Sequence, residues 1–327
     1  MNWGQVIRIS IKMNGDTVNQ FNTFIAGMLG LFSIVVFLYL IDYAARFLRP
    51  VSIVQKVGAS GIVVIQSVYA EAITAPHPDE EFRIPTIPGR VVAHAGTSGI
   101  LLAVDLVGLM ELARQFDGMI EIVPQIGDFV AVDEPLFRLH GGIVDADDRQ
   151  LRGSVALGSE RTLEQDPTFA FRILVDVAIK ALSPAINDPT TAVLAIDQLH
   201  RLLRRVGLHH DRGEEICDTA GKLRLVFLMP QWEDYVHLTC TEIRHFGASS
   251  IQIMRRMRSL LENLMQTLPP PRHAVLRQQL VLLDRTIDEH YNFPEDRAIA
   301  RIPDPQGLGG ALGVQADIER ATAENEK

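Results

Sequence analysis

An uncharged apolar run near the N terminus constrains this chain more than any other feature. Residues 24–41 read FIAGMLGLFSIVVFLYLI, which is eighteen residues without a charge. A helix of that length crosses the hydrocarbon core of a bilayer, whereas the apolar part of a signal peptide is usually shorter. A buried core helix would need apolar partners on every side, and the sequence offers no second run of this kind. The sequence therefore predicts one transmembrane helix, within residues 22–49.

Cations on either side of the run predict its orientation. Arg8 and Lys12 precede it, while Arg46, Arg49 and Lys56 follow it. Positive charges close to a span tend to stay on the cytoplasmic side. We therefore expect the C-terminal region to be cytoplasmic. We also expect Arg46 and Arg49 to reach the lipid head groups, because long cationic side chains extend toward the interface.

Composition and cysteine content narrow the function further. The 327 residues carry a formal net charge of -9, which disfavours nucleic-acid binding through phosphate contacts. Cys217 and Cys240 are the only cysteines, too few for a disulfide framework, and neither lies in a CxxC pair. His237, Cys240 and His245 share a predicted helix, but their spacing matches no metal motif. We expect no cofactor, no metal and no nucleic acid.

Residues 50–84, which follow the span, are predicted to form a juxtamembrane helix and a linker. The apolar stretch from Pro50 to about Ala75 fits an interfacial helix, a packed helix or a second, re-entrant pass. Two prolines and three acids at 74–81 are typical of a loop. A new unit is therefore expected beyond this loop.

Residues 85–140 predict a small β-rich unit. Short β-like runs alternate there with turn signals, and a short helix capped by Asp105 interrupts them. The stretch GDFVAVDEPLFRL at 127–139 resembles the turn-and-strand repeat of barrel-sandwich modules related to biotinyl and lipoyl carriers. Carriers need an exposed lysine, and none occurs between Lys56 and Lys180. The resemblance therefore implies a fold and not a carrier function.

From about residue 155 onward the apolar pattern favours helices. Thr162 and Gln165 have the spacing of a capping box before the first of them. Asp188 is an N-cap for the second helix, and Pro189 is suited to its first position. Further elements are predicted at 223–227 (a lone strand) and at 232–245, 248–267 and 272–290 (three helices).

Together these patterns predict an α+β membrane protein with one N-terminal transmembrane helix, a small β-rich barrel-sandwich-like unit and then a mainly α-helical domain. The predicted segments are a lead at 1–21, the transmembrane helix at 22–49, the juxtamembrane helix and linker at 50–84, the β-rich unit at 85–140, the helical domain at 155–295 and a mobile tail at 296–327.

Several segments resemble one bacterial family. They are GILLAVD at 99–105, ERTLEQD at 160–166, LVDVAIKALSPAINDPTTA at 174–192 and QWEDY at 231–235. These segments are similar to a family of predicted membrane proteins of unknown function, a DUF family, which implies a place in the bacterial inner membrane. Relatives carry several transmembrane helices, so we expect a short form that retains only the last one, or a chain that lacks its upstream part.

The family signature supplies a candidate ligand site. Ser183, Asn187, Asp188 and Thr190 lie at a corner between two predicted helices. A helix N terminus at such a corner attracts small anions. The alternative is a structural corner, in which Asp188 only satisfies the amides of the helix it caps.

A basic cluster lies near the end of the second predicted helix. It includes Arg201, Arg204 and Arg205. Cations at a helix C terminus favour the helix dipole, and they also suit contact with anionic lipid head groups. A second basic stretch, RRMR at 255–258, is expected to be a solvated helix face.

Two functions fit these expectations. The first is an oligomeric scaffold or a transport- or channel-related membrane component, whose cytoplasmic domain assembles with its own copies. A single span cannot enclose a pathway, so this function requires several subunits. The alternative is a membrane-tethered module that senses a ligand or partner. No GxSxG, Walker A, dinucleotide-binding or kinase motif occurs, so an enzyme such as a hydrolase ranks third.

Overall fold

The computed structural model describes residues 10–13, 16–47, 50–68, 88–209 and 215–309. Arg49 and the loop predicted at 74–81 lie outside these ranges. The chain divides into two compact units, Met1–Ile53 and Val54–Lys327.

The first unit contains a hairpin and a long apolar helix. Strands β1 (Ser10–Met13) and β2 (Asp16–Asn19) pair antiparallel, and helix α1 (Gln20–Phe47) follows. None of the stretch Phe21–Tyr43 is buried, although it consists mainly of large apolar side chains. By length and composition α1 is able to cross a membrane, as the sequence predicts.

Two sheets form the β-rich part of the second unit. Their strands are β3 (Arg90–Ala93), β4 (Gly99–Val104), β5 (Gly118–Ile122), β6 (Phe129–Val130), β7 (Pro135–Gly141), β8 (Val155–Gly158), β9 (Glu215–Cys217) and β10 (Leu223–Phe227). The larger sheet has the order β3-β7-β5-β10-β9, and the smaller has the order β6-β4-β8. β5 and β10 pair in parallel, and the neighbouring strands pair antiparallel.

The expected barrel-sandwich-like closure is wrong for the strands that the structure describes. The two sheets stay separate and neither closes on itself. The predicted strand at 223–227 exists as β10, but it lies inside the larger sheet, between β5 and β9. Hairpin patterns in 85–140 do not reveal this strand, because its partner β5 lies about a hundred residues earlier.

Helix α3 (Leu106–Gln115) covers one face of the larger sheet. It contributes Leu109 and Ala113 to a core that also contains Ile120 and Leu225. Asp105 caps this helix, as predicted, and its Oδ1 accepts a hydrogen bond from the Gly108 amide at 3.0 Å. A short helix, α4 (Asp148–Gly153), precedes β8.

Six further helices that the structure describes pack together in the second unit. They are α5 (Pro167–Ala181), α6 (Pro189–Gly207), α7 (Trp232–Phe246), α8 (Ile251–Thr267), α9 (His273–His290) and α10 (Pro294–Ala300). Their apolar stripes meet in one core, where the rings of Phe171 and Tyr235 lie 4.8 Å apart between centroids. The sequence predicts the helices α5 to α9, with bounds that differ by a few residues.

The start of α5 differs from the prediction. Asp166, and not Thr162, is its N-cap, and the Asp166 Oδ1 accepts from the Phe169 amide at 3.0 Å. Pro167 takes the first helical position, where its missing amide costs nothing. The pair Asp166–Pro167 therefore outweighs the capping-box spacing of Thr162 and Gln165.

Helix α2 (Pro50–Val68) is a packed helix from Val54 onward. Val54, Val57 and Ile65 are buried in the same core as α5 and α6. Small residues allow α2 to lie close to α5, because a Cβ on Gly61 would be 2.9 Å from the Ala170 Cβ. The stretch Val51–Val68 is also long and apolar enough to cross a membrane, but a third of it is buried within the protein.

Candidate functional site

A cleft of about 830 Å³ opens in the second unit between the β-rich part and the helical part. Pockets that hold small ligands commonly measure about 300–1,000 Å³. The described residues that line it come from α2, β4, α3, the loop after β5, β8, the start of α5 and the loop after β10. Both core clusters therefore contribute to its walls.

The only parallel strand pair that the structure describes ends at this cleft. Ile122 is the last residue of β5, Phe227 is the last residue of β10, and both line the cleft. In open sheets with parallel strands, ligands bind beyond the carboxyl ends of those strands. The cleft therefore occupies the position that this topology favours for a ligand.

Two helix N termini also meet the cleft, and each carries an aspartate cap. Asp105 caps α3, and Asp166 caps α5. The Asp166 residue is 3% exposed, and its Oδ1 also accepts from the Thr168 hydroxyl. Its second oxygen, Oδ2, is buried and has no hydrogen-bond partner among the described residues. The caps thus place carboxylates where the helix dipoles carry partial positive charge.

Two hydrogen bonds fix the loop before α5 to the β-rich part. The Gln165 Oε1 accepts from the Val104 amide at 3.2 Å, which joins this loop to β4. The Arg161 Nη2 donates to the Gly127 carbonyl oxygen at 2.6 Å. A Cβ on Gly127 would lie 2.6 Å from the Asp166 Oδ2, and the residue has a φ of +96°. Glycine is therefore required at position 127, where the loop after β5 passes the carboxylate of Asp166.

The lining is apolar with a small number of polar groups. Apolar side chains come from Val68, Leu106, Val107, Ile122, Ile126, Val155, Phe227, Leu228 and Met229. Polar side chains come from Ser67, Asp105, Gln125, Ser154, Glu164, Gln165, Asp166 and Thr168. Such a mixture suits a small ligand with an apolar body, which polar contacts orient.

The predicted ligand corner lies at the other end of α5. There Ser183 donates its hydroxyl to the Lys180 carbonyl oxygen at 2.7 Å, and Asn187 has a φ of +49°. The Asp188 carboxylate caps α6, as predicted, and hydrogen bonds from the Thr191 hydroxyl and amide hold its pKa below the ordinary value. Thr190 is exposed beside it. The structure brings these residues together, and their binding of a ligand stays a prediction.

The residues predicted to contact lipid are distributed over both units. Arg201 and Arg204 are exposed on α6, and Arg205 is half-buried. The Arg201 Nη1 donates to the Gln198 Oε1 at 2.7 Å. Arg46 lies in the last turn of α1. Their contact with head groups stays a prediction.

The histidines and cysteine of α7 do not form a ligand cluster. The His237 Nδ1 lies 3.1 Å from the Gln279 Nε2, Cys240 is buried and His245 is exposed. Burial raises the pKa of the Cys240 thiol to about 12. Across the part of the chain that the structure describes, no group of three or more His, Cys, Asp or Glu residues is placed to hold a metal ion.

Comparison with known proteins identifies the family. Residues 6–263 match the family model described as "Predicted membrane protein (DUF2254)", which is most of the chain. The chain belongs to the DUF2254 family. The matched residues include α1, every lining residue of the cleft and the corner at 183–190.

Curated relatives of the DUF2254 chain are longer than the chain itself. "Uncharacterized protein Rv1290c" of Mycobacterium tuberculosis and "Uncharacterized protein Mb1321c" of Mycobacterium bovis are each 28% identical to it over 306 residues. The alignment covers 88% of this chain and 55% of each relative. The chain therefore spans about half the length of these relatives. No solved structure matches it significantly.

Sequence reasoning missed the cleft of the DUF2254 chain. The sequence predicts Asp105 as a cap only and indicates no site role for Glu164 or Asp166. One local signal was available, because Asp166-Pro167-Thr168 repeats the Asp-Pro-Thr pattern of the second helix. That signal marks a helix start and no more, since the cleft is assembled from segments between Ser67 and Pro230 that are distant in sequence.

Proposed function

We propose that the DUF2254 chain is a membrane-anchored module that binds a small ligand, with α1 as its anchor and the cleft as its binding site. The cleft carries this proposal, because its volume and its mixed lining are those of a ligand pocket. A ligand in the cleft would contact both the β-rich part and the helical part. It would therefore favour the arrangement of the two parts in which both sets of contacts form.

The assignment of α1 as a membrane anchor is supported by its composition and by the family. The eighteen uncharged residues at 24–41 prefer hydrocarbon to water, and the family is one of predicted membrane proteins. We place the protein in the bacterial inner membrane with its C-terminal region in the cytoplasm, because Arg46, Arg49 and Lys56 outnumber Arg8 and Lys12. Protease treatment of inverted membrane vesicles tests the topology. The C-terminal region should be digested in inverted vesicles and protected in right-side-out spheroplasts.

Contact of the basic cluster with anionic lipid belongs to the same proposal. Arg201 and Arg204 are exposed on α6, so both guanidinium groups are available to phosphate head groups. The test is sedimentation of residues 54–327, which keep the part of α2 that packs in the helical core, and of the Arg201→Gln/Arg204→Gln variant with vesicles, after circular dichroism has established that this fragment folds. Binding that does not increase with the anionic-lipid content would remove this part of the proposal.

The second candidate function is an oligomeric scaffold or a transport- or channel-related component. The apolar surface of α1 supports it, because the large apolar side chains of residues 24–41 are exposed in the single chain, as is typical of a helix that packs against lipid or against other copies. A pathway through the membrane would require such copies. Native mass spectrometry of the protein in lipid nanodiscs tests this candidate, and a monomer would contradict it.

Ligand binding is tested with a neutral probe of the expected shape. The probe is 2-phenylethanol, which has a small apolar body and one hydroxyl group, and saturation-transfer NMR reports its binding to the full chain in lipid nanodiscs. Ala156 and Val107 line the cleft, and both are exposed, so Ala156→Trp and Val107→Trp fill the cleft without replacing a core residue. Ala185→Trp, at an exposed position on the corner, is the matched control.

The proposal predicts saturable binding by the wild type and by Ala185→Trp, and loss of binding in both cleft variants. Circular dichroism establishes that each variant is folded. A signal of equal size in the wild type and in both folded cleft variants would show that the probe binds elsewhere and would overturn the proposal. Absence of saturable binding to the wild type would overturn it as well.

A further inference from the structure

We infer that the cleft selects a protonated organic amine with an apolar body. This inference rests on the proposed function, since it names the class of ligand that the same cleft would take. It follows from the charges on the lining. Asp105, Glu164 and Asp166 contribute carboxylates, and no Lys, Arg or His belongs to the described lining.

The helix dipoles reduce this negative charge but do not reverse it. Each helix N terminus is equivalent to roughly half a positive elementary charge. The two N termini at the cleft, those of α3 and α5, therefore offset about one of the three carboxylates. One amide at each N terminus is also occupied, because Asp105 accepts from the Gly108 amide and Asp166 accepts from the Phe169 amide. An anionic ligand would therefore meet a carboxylate at each N terminus.

The guanidinium group of Arg161 weakens the negative charge of Asp166. Its guanidinium bonds the Gly127 carbonyl oxygen and lies on the same side of Gly127 as the Asp166 carboxylate. Arg161 is not one of the described residues that line the cleft. Selectivity therefore depends mainly on the two exposed carboxylates, those of Asp105 and Glu164.

These two carboxylates are available to a ligand. Asp105 uses Oδ1 for its cap, and both residues are exposed at the cleft. Glu164 has no hydrogen bond or ion pair within the described ranges. An ammonium group beside either carboxylate would form charge-assisted hydrogen bonds, while the apolar body would lie against side chains such as Leu106 and Phe227.

The test compares three probes that share a phenyl body. They are 2-phenylethylammonium, 2-phenylethanol and 3-phenylpropionate, and each is titrated against the full chain in nanodiscs made of zwitterionic lipid. The ammonium should bind about tenfold more tightly than the alcohol, and the carboxylate should bind least, because two nearby exposed carboxylates contribute an interaction of that order. The preference should decrease as salt is added.

Removal of the two charges should abolish the preference. Asp105→Asn retains the cap, since asparagine is as good an N-cap as aspartate, and Glu164→Gln keeps the shape. In the double variant the ammonium and the alcohol should bind within about twofold of each other. The matched control is Glu160→Gln/Glu289→Gln, which removes two exposed charges outside the cleft and should keep the preference.

The outcomes separate the two proposals. If the alcohol occupies the cleft but 3-phenylpropionate binds as tightly as the ammonium, the cleft is a ligand site and the inference about charge is wrong. The inference is also wrong if the double variant keeps the tenfold preference. If none of the three probes binds, the proposed function fails together with the inference.

Discussion

Arg256 of α8 donates from Nε to the Oδ1 of Asp197 on α6, with a separation of 2.7 Å. The Arg256 residue is 7% exposed, and its Nη1 also reaches the carbonyl oxygens of Asp304 and Pro305 in the segment after α10. One guanidinium group therefore ties two helices and the chain beyond them. The expected solvated face at 255–258 is wrong, because all three of its arginines are buried.

Loss of the Asp197 carboxylate should destabilise the second unit. Asp197→Ala leaves the Arg256 guanidinium buried without its anion, and a charged group that loses its hydrogen-bond partner costs about 1–3 kcal/mol. Urea denaturation followed by circular dichroism measures the change in the free energy of unfolding. Asp197→Asn, which keeps an acceptor oxygen, should lose less than Asp197→Ala. Equal stability of the alanine variant and the wild type would mean that the bond contributes nothing.

Asp304 should hold the chain that follows α10. Its carboxylate accepts from the amides of Gln306, Gly307 and Gly309 at 3.1, 2.9 and 2.7 Å. Asp304→Ala should therefore speed hydrogen exchange in residues 302–309, as measured by mass spectrometry, and leave α5 protected. Exchange in this segment that is equally fast in the wild type would contradict the role. The mobile tail that the sequence predicts from residue 296 onward contains the last five residues of α10 and this hydrogen-bonded segment.

Gly61 should be required for the packing of α2. A Cβ at this position would lie 2.9 Å from the Ala170 Cβ and 3.0 Å from the Leu202 Cδ2, so the helices would have to move apart. Overpacking of this kind costs about 1–3 kcal/mol. Gly61→Ala should lower the melting temperature, whereas Gly153→Ala should not, because nothing lies within 4 Å of a Cβ there. A similar melting temperature for both variants would count against close packing of α2.

Acid should destabilise the β-rich part through Asp218. The Arg224 Nε donates to its Oδ2 at 2.8 Å, and this bond holds the pKa of Asp218 below the ordinary value, with help from the amides of Lys222 and Ala220. Because folding lowers the pKa, the stabilisation is present above the unfolded-state value of about pH 4 and is lost as pH falls through the lower folded value. Asp218→Asn should therefore flatten the dependence of stability on pH in this range. Glu289→Gln, at an exposed position, should keep the wild-type profile, and an unchanged profile for Asp218→Asn would contradict this role.

Local signals explain why the helices could be predicted. Asp188 with Pro189 starts α6 and Asp105 starts α3, because short polar side chains satisfy the free amides of a helix without help from distant residues. The apolar run at 24–41 is equally local. Thr162 does not start α5, because a second capping signal, Asp166 with Pro167, follows closely and competes with it.

The remaining features depend on contacts between distant residues. β10 enters the larger sheet beside β5, and α2 packs against α5 and α6 across more than a hundred residues of sequence. The cleft combines both kinds of contact, since Ser67 from α2 and Phe227 from β10 line it together. Periodicity and caps carry no information about such pairings, so the site could not be predicted from the sequence.

Photoaffinity labelling tests most directly whether the cleft is a ligand site. The reagent is a diazirine derivative of 2-phenylethylamine, reacted with the full chain in nanodiscs and mapped by tandem mass spectrometry. The adducts should lie on the cleft segments 103–107, 153–156 and 164–168, should be displaced by excess 2-phenylethylammonium and should be lost in Ala156→Trp. Adducts confined to α1, or labelling of the cleft segments that Ala156→Trp leaves unchanged, would contradict it.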